Sequence, residues 1–364
     1  MDFTFSADQD DLRRTVRSFL ASRSPKAYVQ AMADDPRGFS DDVWNEVVSM
    51  SWPALLVPEQ HGGLGLGMVD MVVVMEEMGR ALFPGPWFSS AVLATLAARH
   101  LGLADQLVSL AAGTTRGTVA LEEAGAGDPV TRVRARAIRK HGRWRLTGSK
   151  PVVFDGHTAD WALVVARTEQ GIGTFLLEAP GGELVPSWDQ TRKVTRLELD
   201  GREATPVGPD GDHTRPWQRI VDDVNVAVCA ELVGVMEAAN DLAVEYAKVR
   251  VQFDRPIATF QVIKHKAADM LHRQELARVG VHYAAWASDA DDPVREEAAA
   301  MVKAKAAEAA IEVTGECIQI HGGVGFTWEC DAHLYYRKAK QADLLFGYQG
   351  HQRQRLADLI LQPA

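Results

Sequence analysis

Little in this sequence points to an oxidising compartment, a metal or a membrane. Cysteine occurs three times in 364 residues (Cys229, Cys317 and Cys330), an odd count with no CxxC pair. A disulfide framework is therefore not expected, and a reduced cytoplasmic setting is. HExxH is absent and the eleven histidines are scattered. His265 and His272 sit seven apart on an expected helix and share a face, but no carboxylate or thiol cluster accompanies them. Packing or surface positions are expected there, not metal ligation. No apolar run approaches the roughly 20 residues needed to cross a bilayer. The opening MDFTFSADQDDLRR is acidic and lacks the basic-then-apolar layout of a signal peptide. Net positive charge is missing too: the formal balance is −10, which argues against nucleic acid as a partner.

What is present is the composition of an ordinary globular protein, 46% apolar and 24% charged. The length suits two or three domains at about 150 residues each. Three zones differ in texture. Residues 1–115 read as helices separated by Pro/Gly turns, with Ser40 as an N-cap ahead of the apolar face Val43, Trp44 and Val47. The stretch Val57 to Gly65 is too glycine-rich for a helix or strand and reads as a loop. Residues 116–215 carry short alternating strands, one pair turning at His141-Gly142, as in a small sandwich or barrel. From 216 to 364 the pattern is helical again. Val221, Val224, Val228, Leu232, Val235, Ala239, Leu242, Tyr246 and Val249 form one apolar stripe on a helix near eight turns long. Further helices are expected over 260–286, 293–319 and 331–361, with Pro293 at a first turn. The expected architecture is an α+β multidomain chain: a helical domain, a β-barrel or sandwich, and a four-helix bundle.

Two runs are unusual. In YAKVRVQFDRPIATFQ (Tyr246 to Gln261) a helix ends near Arg250, turns through Asp254-Arg255-Pro256 and restarts at Phe260. Arg250 offers a planar fork for a phosphate or carboxylate, and Phe253 and Phe260 offer flat apolar faces. On spacing alone, an αα-hairpin with a surface arginine stays equally open. QIHGGVGF (Gln319 to Phe326) fits both a helix stop and a bare backbone able to meet an anion.

These runs resemble the acyl-CoA dehydrogenase family, whose patterns are YAxxRxQFGxPIxxxQ and QxxGGxGF. VPEQHGGLGL with VVVMEEMGRAL resembles that family's N-terminal signature, so the likeness spans nearly the whole chain. It implies an FAD-dependent α,β-dehydrogenation of an acyl-CoA thioester, with an electron-transfer flavoprotein as acceptor. It also implies an FAD shared between subunits. Carried over, the adenosine-pyrophosphate half falls to Arg250, Phe253, Gln261, Gln319, Ile320, His321, Gly322 and Gly323, with Asp254 in place of the usual Gly. His321 occupies a variable position of that motif, neither base nor ligand.

The flavin-ring half departs from the family. Where a TEPxAGSD-like loop is usual, Leu121 to Asp128 has Glu122 at the Thr position and Ala124 at the Pro position. The WIT-like strand has Val152 for Trp and Phe154 for Thr. Both usual positions of the catalytic Glu are also apolar, Phe346 and Val224, leaving Asp223 and Glu231 as substitutes out of place. The resemblance therefore implies an accessory subunit of an actinobacterial-type α2β2 assembly acting on bulky or steroid side-chain thioesters. A self-sufficient homo-oligomer with a displaced base stays open, as does a flavin-free scaffold.

Overall fold

In a computed structural model of the chain, residues 5–361 are described. The first four residues of the MDFTFSADQDDLRR stretch lie outside them. Helices come first: α1 (Ala7–Arg23), α2 (Lys26–Asp34), α3 (Asp41–Ser49), α4 (Met68–Arg80), a π-helical segment Trp87–Ala94, α5 (Thr95–Leu101) and α6 (Ala104–Ala111). Strands follow: β1 (Gly117–Ala120), β2 (Arg136–Lys140), β3 (Arg143–Thr147), β4 (Ser149–Phe154), β5 (Trp161–Thr168), β6 (Gly171–Glu178), β7 (Glu183–Val185), β8 (Val194–Glu198) and β9 (Arg202–Val207). Then come α7 (Thr214–Val249), the two-residue strands β10 (Val251–Gln252) and β11 (Arg255–Pro256), α8 (Gln261–Asp289), α9 (Arg295–His321), α10 (Ala332–Leu344) and α11 (Gln349–Leu361). Among the described residues no helix is long and apolar enough to cross a membrane. The chain falls into two compact units: Met1–Lys26, Val72–Phe83 and Asn225–Ala364; and Ala27–Met71 with Pro84–Val224.

In the second of these units, Ser40 caps α3 as expected, accepting from the Val43 N–H at 3.4 Å, and Val43, Trp44 and Val47 are buried. The turn between β2 and β3 has His141 and Gly142 both at positive φ (49° and 80°), the left-handed pair that matches strand twist. The strands form a six-stranded sheet and a three-stranded one, β4-β8-β7. They share one core of Leu146, Val164 and Phe175 from the larger sheet with Val153 and Leu197 from the smaller. The closed barrel among the expected alternatives does not form, because β2 meets β5 through the single residue pair Arg136↔Arg167. Within the helical zone expected over 1–115, the segment Trp87–Ala94 is π-helical. There Ser89 Oγ donates to Asp155 at 2.6 Å, and Ser90 Oγ accepts from the Gly117 N–H.

The other unit is the helical bundle. Helix α7 is 36 residues long, longer than its stripe suggested. It is buried not on one face but around its circumference from Ile220 to Met236. Two glycines bring α4 and α7 into backbone contact: a Cβ on Gly79 would sit 2.0 Å from the Glu231 carbonyl oxygen, and one on Gly234 1.7 Å from that of Glu76. Around this crossing, buried Glu76 accepts from Arg13 (2.8 Å) and lies 3.1 Å from His282 Nε2 and 3.4 Å from Arg278 Nε. Glu77 takes Arg17 bidentately at 2.7 and 2.8 Å. The single helix expected over 331–361 is in fact α10 and α11, broken where Phe346 (φ 54°) and Gly347 (φ 91°) enter the left-handed region.

The Glu76 cluster predicts a pH dependence. Burial pushes its carboxyl up, but the His282 hydrogen bond and the Arg13 and Arg278 charges outweigh this and hold it below the usual value. The unfolded chain therefore takes up the proton first. The stability from this group is complete above the unfolded pKa near ~4.3 and is lost as pH falls through the lower folded value. Thermal melts from neutral to acidic pH should show a fall in Tm whose slope is reduced in Glu76→Gln, with the variant already less stable at pH 7. Equal slopes would contradict the assignment.

Candidate functional site

The residues expected for the adenosine half all belong to the helical unit and are mostly open. Arg250 follows α7 and is exposed, its N–H bonded to the Tyr246 carbonyl at 2.9 Å. Strands β10 and β11 pair as a hairpin whose two tip residues, Phe253 (φ 52°) and Asp254 (φ 61°), are both left-handed. Phe253 is 85% exposed and meets Phe260 edge-on at 6.0 Å; Arg255 lies over the Phe260 ring at 4.2 Å. Phe253 thus displays most of a large apolar side chain on a tip of left-handed backbone. Exposed Gln261 begins α8, which has no side-chain N-cap, so its first N–H groups and positive dipole end face outward.

At the end of α9, Gln319, Gly322 and Gly323 are exposed. Gly322 needs its φ of +64° to leave the helix. Gly323 has no such need, and a Cβ there would meet nothing within 4 Å. No neighbour within the chain therefore requires a glycine at that position, and its backbone is exposed. Ile320 and His321 turn inward. His321 stacks on Tyr246 at 4.3 Å, with Nδ1 2.8 Å from the Cys317 carbonyl, so only the backbone of these two residues is available.

The positions matching the flavin-ring half lie in the other unit and are filled by the chain's own side chains. Phe154 is 2% exposed and packs edge-on against Phe88 at 5.4 Å, with the Arg192 guanidinium 4.0 Å above Phe88. Glu122 is buried against Arg132 at 3.2 Å. Glu123 accepts from Lys150 Nζ (2.6 Å) and from the Arg134 and Ala135 N–H groups. Burial lowers the Lys150 ammonium to about 8 despite that carboxylate.

Neither usual base position holds an acid. Phe346 is buried, its carbonyl accepting from Asn225 Nδ2 (3.1 Å) and Gln352 Nε2 (3.2 Å), and Val224 is fully buried. Asp223, next to the apolar stripe in sequence, is buried as well and lies 2.7 Å from His100 Nε2. Glu231 is buried against Lys338 at 3.1 Å. Both substitute acids are thus already paired within the chain. His100, Arg132 and Lys338 escaped the sequence reading, since no local signal ties them to partners 10 to 123 residues away. The three cysteines are buried and free, with burial pushing the Cys229 and Cys317 thiols up to about 12. Among the described residues no metal-binding group of His, Cys, Asp and Glu occurs.

Comparison with known proteins agrees with this architecture. Residues 6–118 match the family model "Acyl-CoA dehydrogenase, N-terminal domain", and residues 222–361 match "Acyl-CoA dehydrogenase, C-terminal domain". The chain is 34% identical over 331 residues to acyl-CoA dehydrogenase IpdE2 of Mycobacterium tuberculosis, covering 90% of this chain and 89% of that protein. Among solved structures, a point variant of the Tcur3481-Tcur3483 steroid ACAD superposes with a TM-score of 0.87 at 30% identity over 97% of both chains. The ChsE4-ChsE5 complex of Mycobacterium tuberculosis gives 0.89 at 29% identity over the full length of both.

Proposed function

Because this chain belongs to the acyl-CoA dehydrogenase family, we propose that it is the accessory subunit of a mixed FAD-dependent acyl-CoA dehydrogenase. On this proposal the chain comprises a helical domain (1–115), a β module (116–215) and a helical bundle (216–364). In this role Arg250, Phe253, Gln261, Gln319 and the backbone of residues 320–323 hold the adenosine-pyrophosphate end of an FAD whose ring rests on a homologous partner subunit. FAD, when bound, supplies the hydride acceptor for the β-carbon. The arginine would neutralise the pyrophosphate, the uncapped α8 terminus and bare Gly323 would lend N–H groups, and the Phe253 face would offer stacking surface. The partner contributes the carboxylate that removes the α-proton, since Phe346 and Val224 have no acid–base chemistry.

One contrast carries this reading: Phe253 is 85% exposed while Phe154 is 2% exposed. The half that would reach a neighbour's cofactor is open; the half that would cradle a flavin ring is closed by Phe88, Arg192 and the Glu122–Arg132 pair. The residues present fit one end of FAD and not the other. The similarity to a steroid ACAD and to the ChsE4-ChsE5 complex supports a bulky, steroid-type acyl-CoA substrate and a mixed assembly; an electron-transfer flavoprotein as acceptor and a cytoplasmic setting are carried over from the family likeness alone.

The test is to purify the chain alone and together with the protein encoded beside its gene, then record the visible spectrum before and after adding acyl-CoA. The lone chain should be colourless, and the pair yellow and bleached by substrate. A yellow, active homomer would overturn the accessory role and return the base to Asp223 or Glu231.

A further inference from the structure

Although the chain is acidic overall, residues 132–145 (RVRARAIRKHGRWR) contain seven Arg/Lys residues and no acid. The pairing register shows where they point. Ala137 opposes Leu146 toward the core, so Arg136, Ile138 and Lys140, opposite Thr147, Arg145 and Arg143, occupy the outer face of the sheet. Arg134, two residues before Arg136 and exposed, continues the same alternation. Two acids lie close by: Glu203, opposite Arg145, which Arg143 (2.9 Å) and Arg145 (2.6 Å) share, and Glu123, whose carboxylate accepts the Arg134 and Ala135 N–H groups and pairs with buried Lys150. Arg134, Arg136 and Lys140 make no ion pair among the described residues. From Arg134 to Lys140 the stripe runs about 20 Å at the usual strand rise.

The chemistry of this face differs from that of the open half-site. Its one large apolar group is Ile138, 45% exposed. A permanent subunit contact buries apolar surface, as Phe253 and Phe326 (72% exposed) offer in the other unit. A face made of charge with a small apolar centre suits a transient, steered encounter instead. The predominance of arginine suits bidentate pairing with carboxylates. Too long for a single phosphate, the stripe matches an extended anionic protein surface.

We propose that the outer face of β2–β3 docks the acidic face of the protein that accepts electrons from the assembled enzyme. This rests on the dehydrogenase reading above. For each turnover the substrate loses its α- and β-hydrogens, the acceptor gains two electrons in all, and two protons pass to solvent. The face supplies no chemistry; it raises the rate of encounter.

The experiment uses the co-purified assembly with Arg134→Glu, Arg136→Glu and Lys140→Glu combined, assayed with an electron-transfer flavoprotein and, separately, with a small ferrocenium dye. At low salt the variant should lose at least about 30-fold in kcat/KM for the protein acceptor, show a flattened salt dependence, and keep its dye-linked rate within about twofold. The corresponding Gln triple should fall between the two. Unchanged acceptor kinetics, or an equal loss with dye, would overturn the proposal. A wild-type assembly without dye-linked activity would refute the dehydrogenase reading itself, and the docking surface with it.

Discussion

Arg250→Ala in the co-purified assembly is expected to strip its flavin while leaving this chain folded. Arg250 is exposed and its side chain makes no hydrogen bond or ion pair among the described residues, so its removal should not move the chain's own Tm appreciably. In the assembly, the same guanidinium would face a desolvated pyrophosphate. Removing one partner of such a charge pair costs about 2–5 kcal/mol, or roughly 30- to 4,000-fold in affinity. Gel filtration followed by the visible spectrum would read this directly: subunits still co-eluting, flavin lost. Arg250→Lys should recover only part, because a point charge cannot reproduce the fork. Full flavin retention in the Ala variant would remove the central residue of the half-site.

Gly234→Ala is expected to fail at the level of the fold. Alanine would favour the helix by about 1 kcal/mol in an open position, but here its methyl would enter the Glu76 carbonyl at 1.7 Å. Separating α4 from α7 to admit it also pulls Glu76 and Glu77 from Arg13, Arg17 and Arg278. The clash and the loosened buried charges together outweigh the helix gain, by about 3 kcal/mol or more. Soluble yield and Tm of the variant would show it. A Tm equal to wild type would mean that the crossing is not held by backbone contact.

These two sites also show what can be read without coordinates. Arg250 stood out because helix, turn and restart leave a local trace in residue type and spacing. The Ser40 cap and the His141-Gly142 turn were legible for the same reason. Gly234 leaves no such trace, since nothing local to α7 says that α4 crosses there. The stripe from Val221 to Val249 showed that α7 packs, but not that Asp223 on another side is buried too. That depends on His100, 123 residues away. The break at Phe346 was hidden because a bulky residue at positive φ looks, in sequence, like one more apolar helix position. Closure of the β module turned on one strand junction that no alternation pattern encodes.

The flavin count of the purified assembly tests the division of the cofactor site most directly. Denatured samples of the co-purified protein, with chains quantified separately and flavin measured by absorbance, should hold a single FAD for each pair of unlike chains, and this chain alone should hold none. One FAD for every chain, this one included, would mean that the region around Phe154 and Glu122 opens to take a flavin ring, and would contradict the account.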